Sequence, residues 1–146
     1  MRKINEILIH CTATPEGRDV HVADIEQWHR QRQFRPYGGT YCGYHYLVCL
    51  DGSIEAGKPL EAMGQHCKGH NKYSVGICYA GGLDTKKKPK DTRTKAQKES
   101  LFRLVKELKA RFPNATVHGH NEFAAKDCPC FNVSKEYSSF ATKLTF

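Results

Sequence analysis

Residues 4–14 read INEILIHCTAT, and the predicted arrangement of the other elements starts from this segment. Its dense branched apolar content is typical of a buried β-strand. Because side chains alternate along a strand, Leu8 and His10 share one face. Ile7 and Ile9 point to the opposite face. An imidazole near the end of a buried strand has a rigid position, so His10 is either a satisfied core histidine or a metal ligand.

Outward from this strand, the next periodic segment is a helix. Residues 18–34 repeat apolar side chains at helical spacing, which predicts an amphipathic helix. We expect Trp28 on its buried stripe, in the core rather than as a platform for a sugar. We expect His21 and His29 at the surface or edge of the helix, not among ligands.

The remaining elements follow from period and turn chemistry. Residues 94–112 give the clearest helix, because Thr94 and Gln97 form a capping box ahead of a leucine-rich stripe. A hairpin is predicted in residues 43–57 and a strand in residues 75–81. A short strand is predicted in residues 114–120 and a final short helix in residues 134–144. This order predicts a single α/β domain over residues 1–146, with a mixed central sheet of about five strands flanked by about three helices.

Length and composition narrow the class of protein. The 146 residues fit one compact domain, and 39% hydrophobic with 26% charged residues is ordinary for a globular protein. No apolar run approaches the ~20 residues of a membrane span. The apolar run at the amino terminus is too short for a signal peptide, so we expect synthesis in the cytoplasm. We also expect a monomer.

The charge and the cysteines add two further expectations. A net charge of +8 attracts polyanions, among them nucleic acid, membrane headgroups and anionic cell-wall polymer. The seven cysteines are scattered and show no paired CxxC motif, which makes a zinc ribbon a poor interpretation. Without a visible export signal, we expect most of these thiols to be reduced and several to be buried, with one or two as ligands.

A second stretch supplies candidate metal ligands. Residues 117–130 read VHGHNEFAAKDCPC and place His120, Lys126 and Cys128 within nine positions. Catalytic zinc usually takes three protein ligands, with imidazole and thiolate among the preferred donors, and keeps a fourth position for water. His10, at the end of the first strand, is the best-placed third ligand.

The residue pattern alone leaves two alternatives open in this stretch. His118 competes with His120 because alternation puts both on one face of a strand. Cys130 competes in the same way with Cys128. Spacing does not separate the members of either pair.

Five blocks of the sequence together resemble a known family. From about Ile4 to Asn132 the chain resembles the zinc-dependent N-acetylmuramoyl-L-alanine amidases, in the branch of phage lysozyme-type amidases that shares its fold with the peptidoglycan recognition proteins. The blocks stand in the same order as in the family: ILIHCTAT, IEQWH, GYHYLVCLDGSIEAG, MGQHCKGHNKYSVGICYAGG and HGHNEFAAKDCPCF.

The resemblance implies a ligand set and a catalytic pair. It implies one Zn²⁺ per chain held by His10, His120 and Cys128, with Cys128 favoured over its neighbouring thiol because it precedes a proline. It also implies that Tyr44 and Lys126 line the catalytic site. Lys126 would hold an oxyanion, and Tyr44 would relay a proton or bond the attacking water.

Other polar residues receive smaller roles. His66 matches a cleft-lining histidine of the family, and we expect it and Asn71 to contact substrate. His45 is expected to be a structural hydrogen-bonding residue. Glu122 is expected to cap the loop rather than to act as a general base. Cys130 occupies a position where a small polar residue is expected, which raises the prospect of redox sensitivity.

The resemblance implies hydrolysis of the amide between N-acetylmuramic acid and L-alanine in bacterial peptidoglycan. The protein would then act on the cell wall after release or delivery, and its positive charge would concentrate it there. The alternative is a non-catalytic peptidoglycan-binding module, which the presence of Cys128 disfavours. Nucleic acid is not an expected partner, because the lysines are not interleaved with aromatic residues along one element.

Overall fold

A computed structural model describes residues 1–141 of the chain, which form strands, helices and the loops that connect them. In chain order the elements are β1 (Glu6–Cys11), β2 (Thr14–Pro15), α1 (Val22–Gln31), β3 (Tyr46–Val48), β4 (Ile54–Ala56), β5 (Ser74–Tyr79), β6 (Gly82–Leu83), α2 (Lys95–Arg111), β7 (Thr116–Gly119), α3 (Val133–Glu136) and α4 (Ser138–Ala141). The carboxyl-terminal part of the predicted last helix lies outside the described residues.

The central sheet has five strands in the order β4-β3-β5-β1-β7. All neighbouring pairs are parallel except β3 and β4, which form the antiparallel hairpin that the turn at Asp51 and Gly52 predicts. The sheet is therefore mixed, as expected. Strands β2 and β6 pair separately as a small parallel ribbon.

Strand β1 lies between two parallel neighbours, which explains its apolar sequence. Ile7, Leu8 and Ile9 are completely buried. A parallel strand covered on both faces reads as a continuous apolar run. Ile7 and Ile9 belong to the larger core cluster, together with the buried stripe of α2. The opposite face of the sheet packs on α1 through a second cluster centred on Ile25 and Leu47.

Helix α2 begins as its capping box predicts. The Gln97 backbone N–H donates to Thr94 Oγ1 at 3.0 Å, and the Thr94 N–H donates to Gln97 Oε1 at 2.9 Å. The buried Gln97 amide also donates to the Ala80 carbonyl at 2.9 Å, where β5 has just ended. The start of α2 is thereby fixed to one end of the sheet.

For α1, one expectation holds in part and one is wrong. Trp28 packs against the second core cluster but is only partly buried, and the Arg18 guanidinium lies 5.4 Å from its ring. His29 is buried, whereas an edge position was predicted. The face of α1 that meets the sheet runs through Ile25 and His29, one turn apart, and leaves Trp28 at its margin. None of the helices in residues 1–141 has the length and apolar character needed to cross a membrane.

Candidate metal centre and active-site cleft

The strand register brings two of the predicted ligands together. Ile9 of β1 pairs with Gly119 of β7 in parallel, so the next residues, His10 and His120, follow side by side. β7 ends at Gly119, and the chain turns into the short 3₁₀ segment His120–Glu122. The site therefore lies at the carboxyl ends of parallel strands, where open α/β sheets bind their ligands.

The donor atoms of the predicted ligand set converge. His10 Nδ1 lies 3.2 Å from His120 Nδ1. Two nitrogens bound to one tetrahedral zinc ion stand about 3.3 Å apart, given Zn–N bonds of ~2.0 Å. The ligand atoms of His10, His120 and Cys128 all lie within 4.8 Å of one another. A nitrogen, nitrogen, thiolate set at this spacing fits a zinc ion.

Backbone contacts separate the two competing thiols. The Cys11 N–H donates to Cys128 Sγ at 3.2 Å, which directs this sulfur toward the end of β1. Cys130 Sγ instead donates to the Gly82 carbonyl at 3.3 Å. Burial raises the pKa of the Cys130 thiol to about 12. Cys130 is thus held near Cys11 but outside the convergent ligand set.

The competing histidines are separated by the end of β7. The His118 ring lies between Thr116 Oγ1 at 2.7 Å and the Glu122 carboxylate at 2.9 Å. Glu122 also accepts the Gly119 N–H at 2.7 Å, which is the loop-capping role expected of it. His118 is occupied by this local network, whereas His120 has turned toward His10.

The electrostatic environment keeps the two imidazoles neutral. Burial holds the pKa of His10 well below its usual value, and His66, His120 and the Lys126 ammonium lower it further. Burial and then Lys126 also lower the pKa of His120. A metal ligand must be an unprotonated imidazole, so these surroundings favour metal binding over protonation.

His66 contacts the His10 ring at Nε2, on the side opposite the nitrogen that faces His120. Its Nδ1 lies 2.8 Å from His10 Nε2, and its Nε2 lies 3.1 Å from Ser74 Oγ. A partner on the second nitrogen of a ligating histidine fixes its tautomer and ring orientation. Gly76 makes room for this arrangement, since a Cβ there would lie 2.7 Å from the His66 ring. Sequence reasoning missed this role, although a glycine in the middle of a buried strand signals such a close approach.

Asn71 acts within the loop that carries His66. Its Oδ1 accepts the backbone N–H groups of His66 and Cys67, each at 2.9 Å. This pair of bonds sets the loop conformation and thereby the position of the His66 ring. Substrate contact by either side chain stays a prediction.

A cleft of about 390 Å³ opens in front of these residues. Tyr44, His66, Asn71, His120 and Lys126 all line it, so the cleft collects the predicted catalytic and substrate-binding residues around a predicted ligand. The Tyr44 ring centroid lies 5.2 Å from that of His10. Burial raises the pKa of the Tyr44 phenol well above its usual value, which keeps it a neutral hydrogen-bond donor.

The rim of the cleft is cationic. Arg32, Lys68 and Lys126 contribute to its lining, and none of the described lining residues is acidic. Lys126 is exposed, with its backbone N–H donating to the Ala124 carbonyl at 2.9 Å. The cleft is therefore suited to an anionic ligand.

Two buried histidines near the cleft have structural roles. His45 accepts the Gly76 N–H at 3.0 Å on Nδ1 and pairs with the Ala62 carbonyl at 2.9 Å through Nε2, as expected of a hydrogen-bonding residue. His29 Nδ1 accepts the Gly43 N–H at 2.8 Å, and burial lowers the pKa of His29 to about 4.

All seven cysteines lie within the described residues, and none forms a disulfide.

Comparison with known proteins gives a consistent result. A family model for N-acetylmuramoyl-L-alanine amidase matches residues 1–131. The endolysin of Klebsiella phage KP32 is 38% identical over 134 residues, which cover 92% of this chain and 85% of that protein.

Solved structures extend the similarity to the fold. The N-acetylmuramoyl-L-alanine amidase LysC from Clostridium intestinale URNW matches with a TM-score of 0.74 at 27% identity, over 93% of this chain and 83% of that one. Drosophila PGRP-LB matches with a TM-score of 0.75 at 20% identity, over 99% of this chain and 86% of that one, which shows a shared fold.

Proposed function

The chain belongs to the N-acetylmuramoyl-L-alanine amidase family, and from this premise we propose that it lyses peptidoglycan as a zinc hydrolase. His10, His120 and Cys128 would hold one Zn²⁺ per chain. The bond cleaved is the amide between N-acetylmuramic acid and the L-alanine of the stem peptide.

One observation carries the proposal. The donor atoms of His10, His120 and Cys128, from positions far apart in the chain, come within 4.8 Å of one another beside a cleft. A bound zinc ion supplies Lewis-acid polarisation of a carbonyl and lowers the pKa of a water molecule toward ~7. Three protein ligands are the number that leaves a position free for this chemistry.

We propose that Lys126 stabilises the negative charge that develops on the carbonyl oxygen. Lys126 lines the same cleft as His120, and its ammonium lowers the pKa of both His10 and His120, which supports this role. A fixed cation at this position stabilises an oxyanion more than it stabilises the neutral amide, so it lowers the barrier.

Tyr44 and His66 complete the arrangement. The half-buried Tyr44 phenol is a neutral donor that lines the cleft, and we propose that it hydrogen-bonds the attacking water or relays its proton. His66 orients the His10 ring through the 2.8 Å contact. With Asn71 it also lines the cleft, where both are proposed to contact the substrate.

The cationic rim gives the substrate a further recognition feature. Bacterial wall polymer carries carboxylates and often phosphates, and Arg32 and Lys68 stand where such groups would enter the cleft. We propose that the protein acts on the cell wall after its release, as the name of the similar phage endolysin suggests for that relative. We also propose that it acts as a monomer.

Digestion of purified peptidoglycan, with and without a chelator, tests the proposal. We expect new L-alanine amino termini, no new reducing sugar ends, and loss of both activity and product when the metal is removed. Mass spectrometry of the fragments identifies the bond. Cys128→Ser is the inactive variant, and Cys130→Ser is the matched control because its thiol lies outside the ligand set.

Two results would contradict the proposal. Reducing sugar ends would indicate a glycosidase. Sedimentation with peptidoglycan without any cleavage would indicate a binding module.

A further inference from the structure

A second group of side chains able to bind a metal lies at the amino-terminal end of α1, whereas His29 and Arg32 line the cleft at the opposite end of this helix. His21 precedes α1, Cys49 follows β3, and Glu55 lies on β4. His21 Nδ1 is 2.6 Å from Glu55 Oε2 and 4.0 Å from Cys49 Sγ. The three ligand atoms all lie within 4.8 Å of one another. In residues 1–141, this is the only such group besides the catalytic ligand set.

Local hydrogen bonds hold each ligand in place. Glu55 Oε1 accepts the Val22 N–H at 2.7 Å, which leaves Oε2 directed at the His21 ring. The His21 backbone N–H donates to the Asp24 carboxylate at 2.9 Å. Cys49 is 3% exposed, and its N–H donates to the Ser53 carbonyl at 2.8 Å. Such outer contacts orient metal ligands before the ion arrives.

The charge around this group favours a cation. Asp19 and Asp24 act on His21 together with Glu55 and raise the pKa of its imidazole. Asp51 lies in the adjoining turn and its charge also acts on His21. A locally acidic corner on a chain of net charge +8 concentrates cations where the rest of the surface repels them.

We propose that His21, Cys49 and Glu55 form a second site for a divalent cation of the zinc class. Imidazole, thiolate and carboxylate are all zinc ligands, and three of them leave a position for water. Binding displaces the proton shared by His21 and Glu55 and the proton of the Cys49 thiol. The side chains of His21 and Glu55 are 54% and 33% exposed, so an ion can reach the site.

The ligands need only small movements to accept an ion. Donor atoms around a tetrahedral zinc stand roughly 3.2 to 3.6 Å apart. His21 Nδ1 and Glu55 Oε2 must therefore separate slightly, and Cys49 Sγ must approach His21 by a few tenths of an ångström. Rotation of the two exposed side chains accommodates both changes.

A bound ion would connect the start of α1 to the β3–β4 hairpin. Since α1 also carries His29, which lines the cleft, the site would stabilise the helix behind one wall of the active site. An ion that binds only the folded chain raises the unfolding temperature, and the increase grows with the ratio of free ion concentration to Kd.

The test uses the Cys128→Ser protein, whose catalytic ligand set has lost its thiolate, so that thiolate-to-cobalt absorption reports the second site. Metal-free protein is loaded with Co²⁺, freed of excess ion, and examined for bound metal and for thiolate-to-cobalt absorption. We expect about one cobalt per chain with thiolate absorption, and a higher unfolding temperature. Adding Cys49→Ser, or separately the exposed substitution His21→Ala, abolishes all three.

A matched control comes from another histidine–glutamate pair. His70 Nδ1 lies 2.8 Å from Glu6 Oε1, a similar contact that belongs to no three-ligand group in the described residues. His70→Ala in the Cys128→Ser background should leave cobalt binding unchanged. Cys128→Ser protein that retains no cobalt, or cobalt retained equally after His21→Ala, would overturn the second site. Neither result bears on the amidase reaction, which is measured on the unmodified chain.

Discussion

Residues 1–141 contain two histidine–cysteine groups that satisfy the same distance condition in opposite surroundings. In the group of His10, His120 and Cys128, burial and Lys126 lower the pKa of each imidazole. In the group of His21, Cys49 and Glu55, carboxylates raise the pKa of the imidazole. Only the first group adjoins the cleft that Tyr44 and Lys126 line.

This contrast distinguishes a site that could only bind a metal ion from a site that could also use the ion in catalysis. Convergent donors of these kinds could hold an ion in either place. Catalysis also needs a position where a substrate carbonyl can reach the ion, and a cation or donor aimed at the charge that develops. Only the first group adjoins a cleft lined by Tyr44 and Lys126, which are proposed for these roles, whereas the second lies beside carboxylates, which would repel an oxyanion.

The largest expected effect is a difference in activity between two variants, each of which lacks the thiol of one group. Cys128→Ser should lower amidase activity on the order of a thousandfold, since the metal supplies several kcal/mol to the transition state. Cys49→Ser should leave the specific activity of folded protein within about twofold. Turnover of purified peptidoglycan, normalised to folded protein, measures both. Equal losses in the two variants would mean that the groups are not functionally distinct.

Lys126→Ala should have the next largest effect. Loss of one oxyanion-stabilising group costs roughly 10²- to 10³-fold in kcat. The metal content should not change, because Lys126 donates nothing to the ion. Lys68→Ala, at the rim of the same cleft, is the control and should act mainly on KM. An unchanged kcat in fully metal-loaded Lys126→Ala would contradict the oxyanion role.

His66→Ala should weaken metal binding at the catalytic group by roughly 10- to 100-fold, because the His10 ring loses the partner that orients it. Competition with a chromogenic chelator measures this affinity independently of activity. His118→Ala removes a histidine held only by its own loop and should leave the affinity unchanged. If His66→Ala raises KM at constant metal affinity, the residue serves the substrate alone.

The smallest effect is a difference in titration between the two groups in metal-free protein. His21 should titrate above its usual value of 6.5, and His10 well below it. Glu55→Gln should lower the pKa of His21 and leave that of His10 unchanged. Because the pKa of His21 is raised in the folded state, its pairing stabilises the fold below pH 6.5, and this contribution is lost as the pH rises through the raised pKa. Histidine proton NMR resonances followed from pH 4 to 9 measure these values.

Much of the framework was predictable from local patterns. The capping box at Thr94, the hairpin turn at Asp51 and the apolar run of β1 each depend on neighbouring residues, and each appears as expected. The predictions for Trp28 and His29 were inexact because neighbouring residues on a helix lie about 100° apart around its axis. A small error in the direction of the apolar stripe therefore exchanges a core position for one at the margin.

The ligand set shows what sequence and tertiary structure each contribute. Residue types and the family resemblance indicated His10, His120 and Cys128, yet alternation alone left His118 and Cys130 open. The end of β7 at Gly119 and the Cys11 N–H that points at Cys128 separate these alternatives. Both features depend on where neighbouring segments lie in space.

The amino-acid sequence was enough to predict the main strands and helices, their order and the chemical kinds of donor, because helix caps, turns and side-chain alternation act between residues close in the chain. The three-dimensional arrangement was needed to show which donors meet, that His66 contacts His10, and that His21, Cys49 and Glu55 form a second group. The contacts of His10 with His120, of His10 with His66 and of His21 with Cys49 join positions 110, 56 and 28 residues apart. Such contacts are fixed by strand register and packing, which no local pattern encodes.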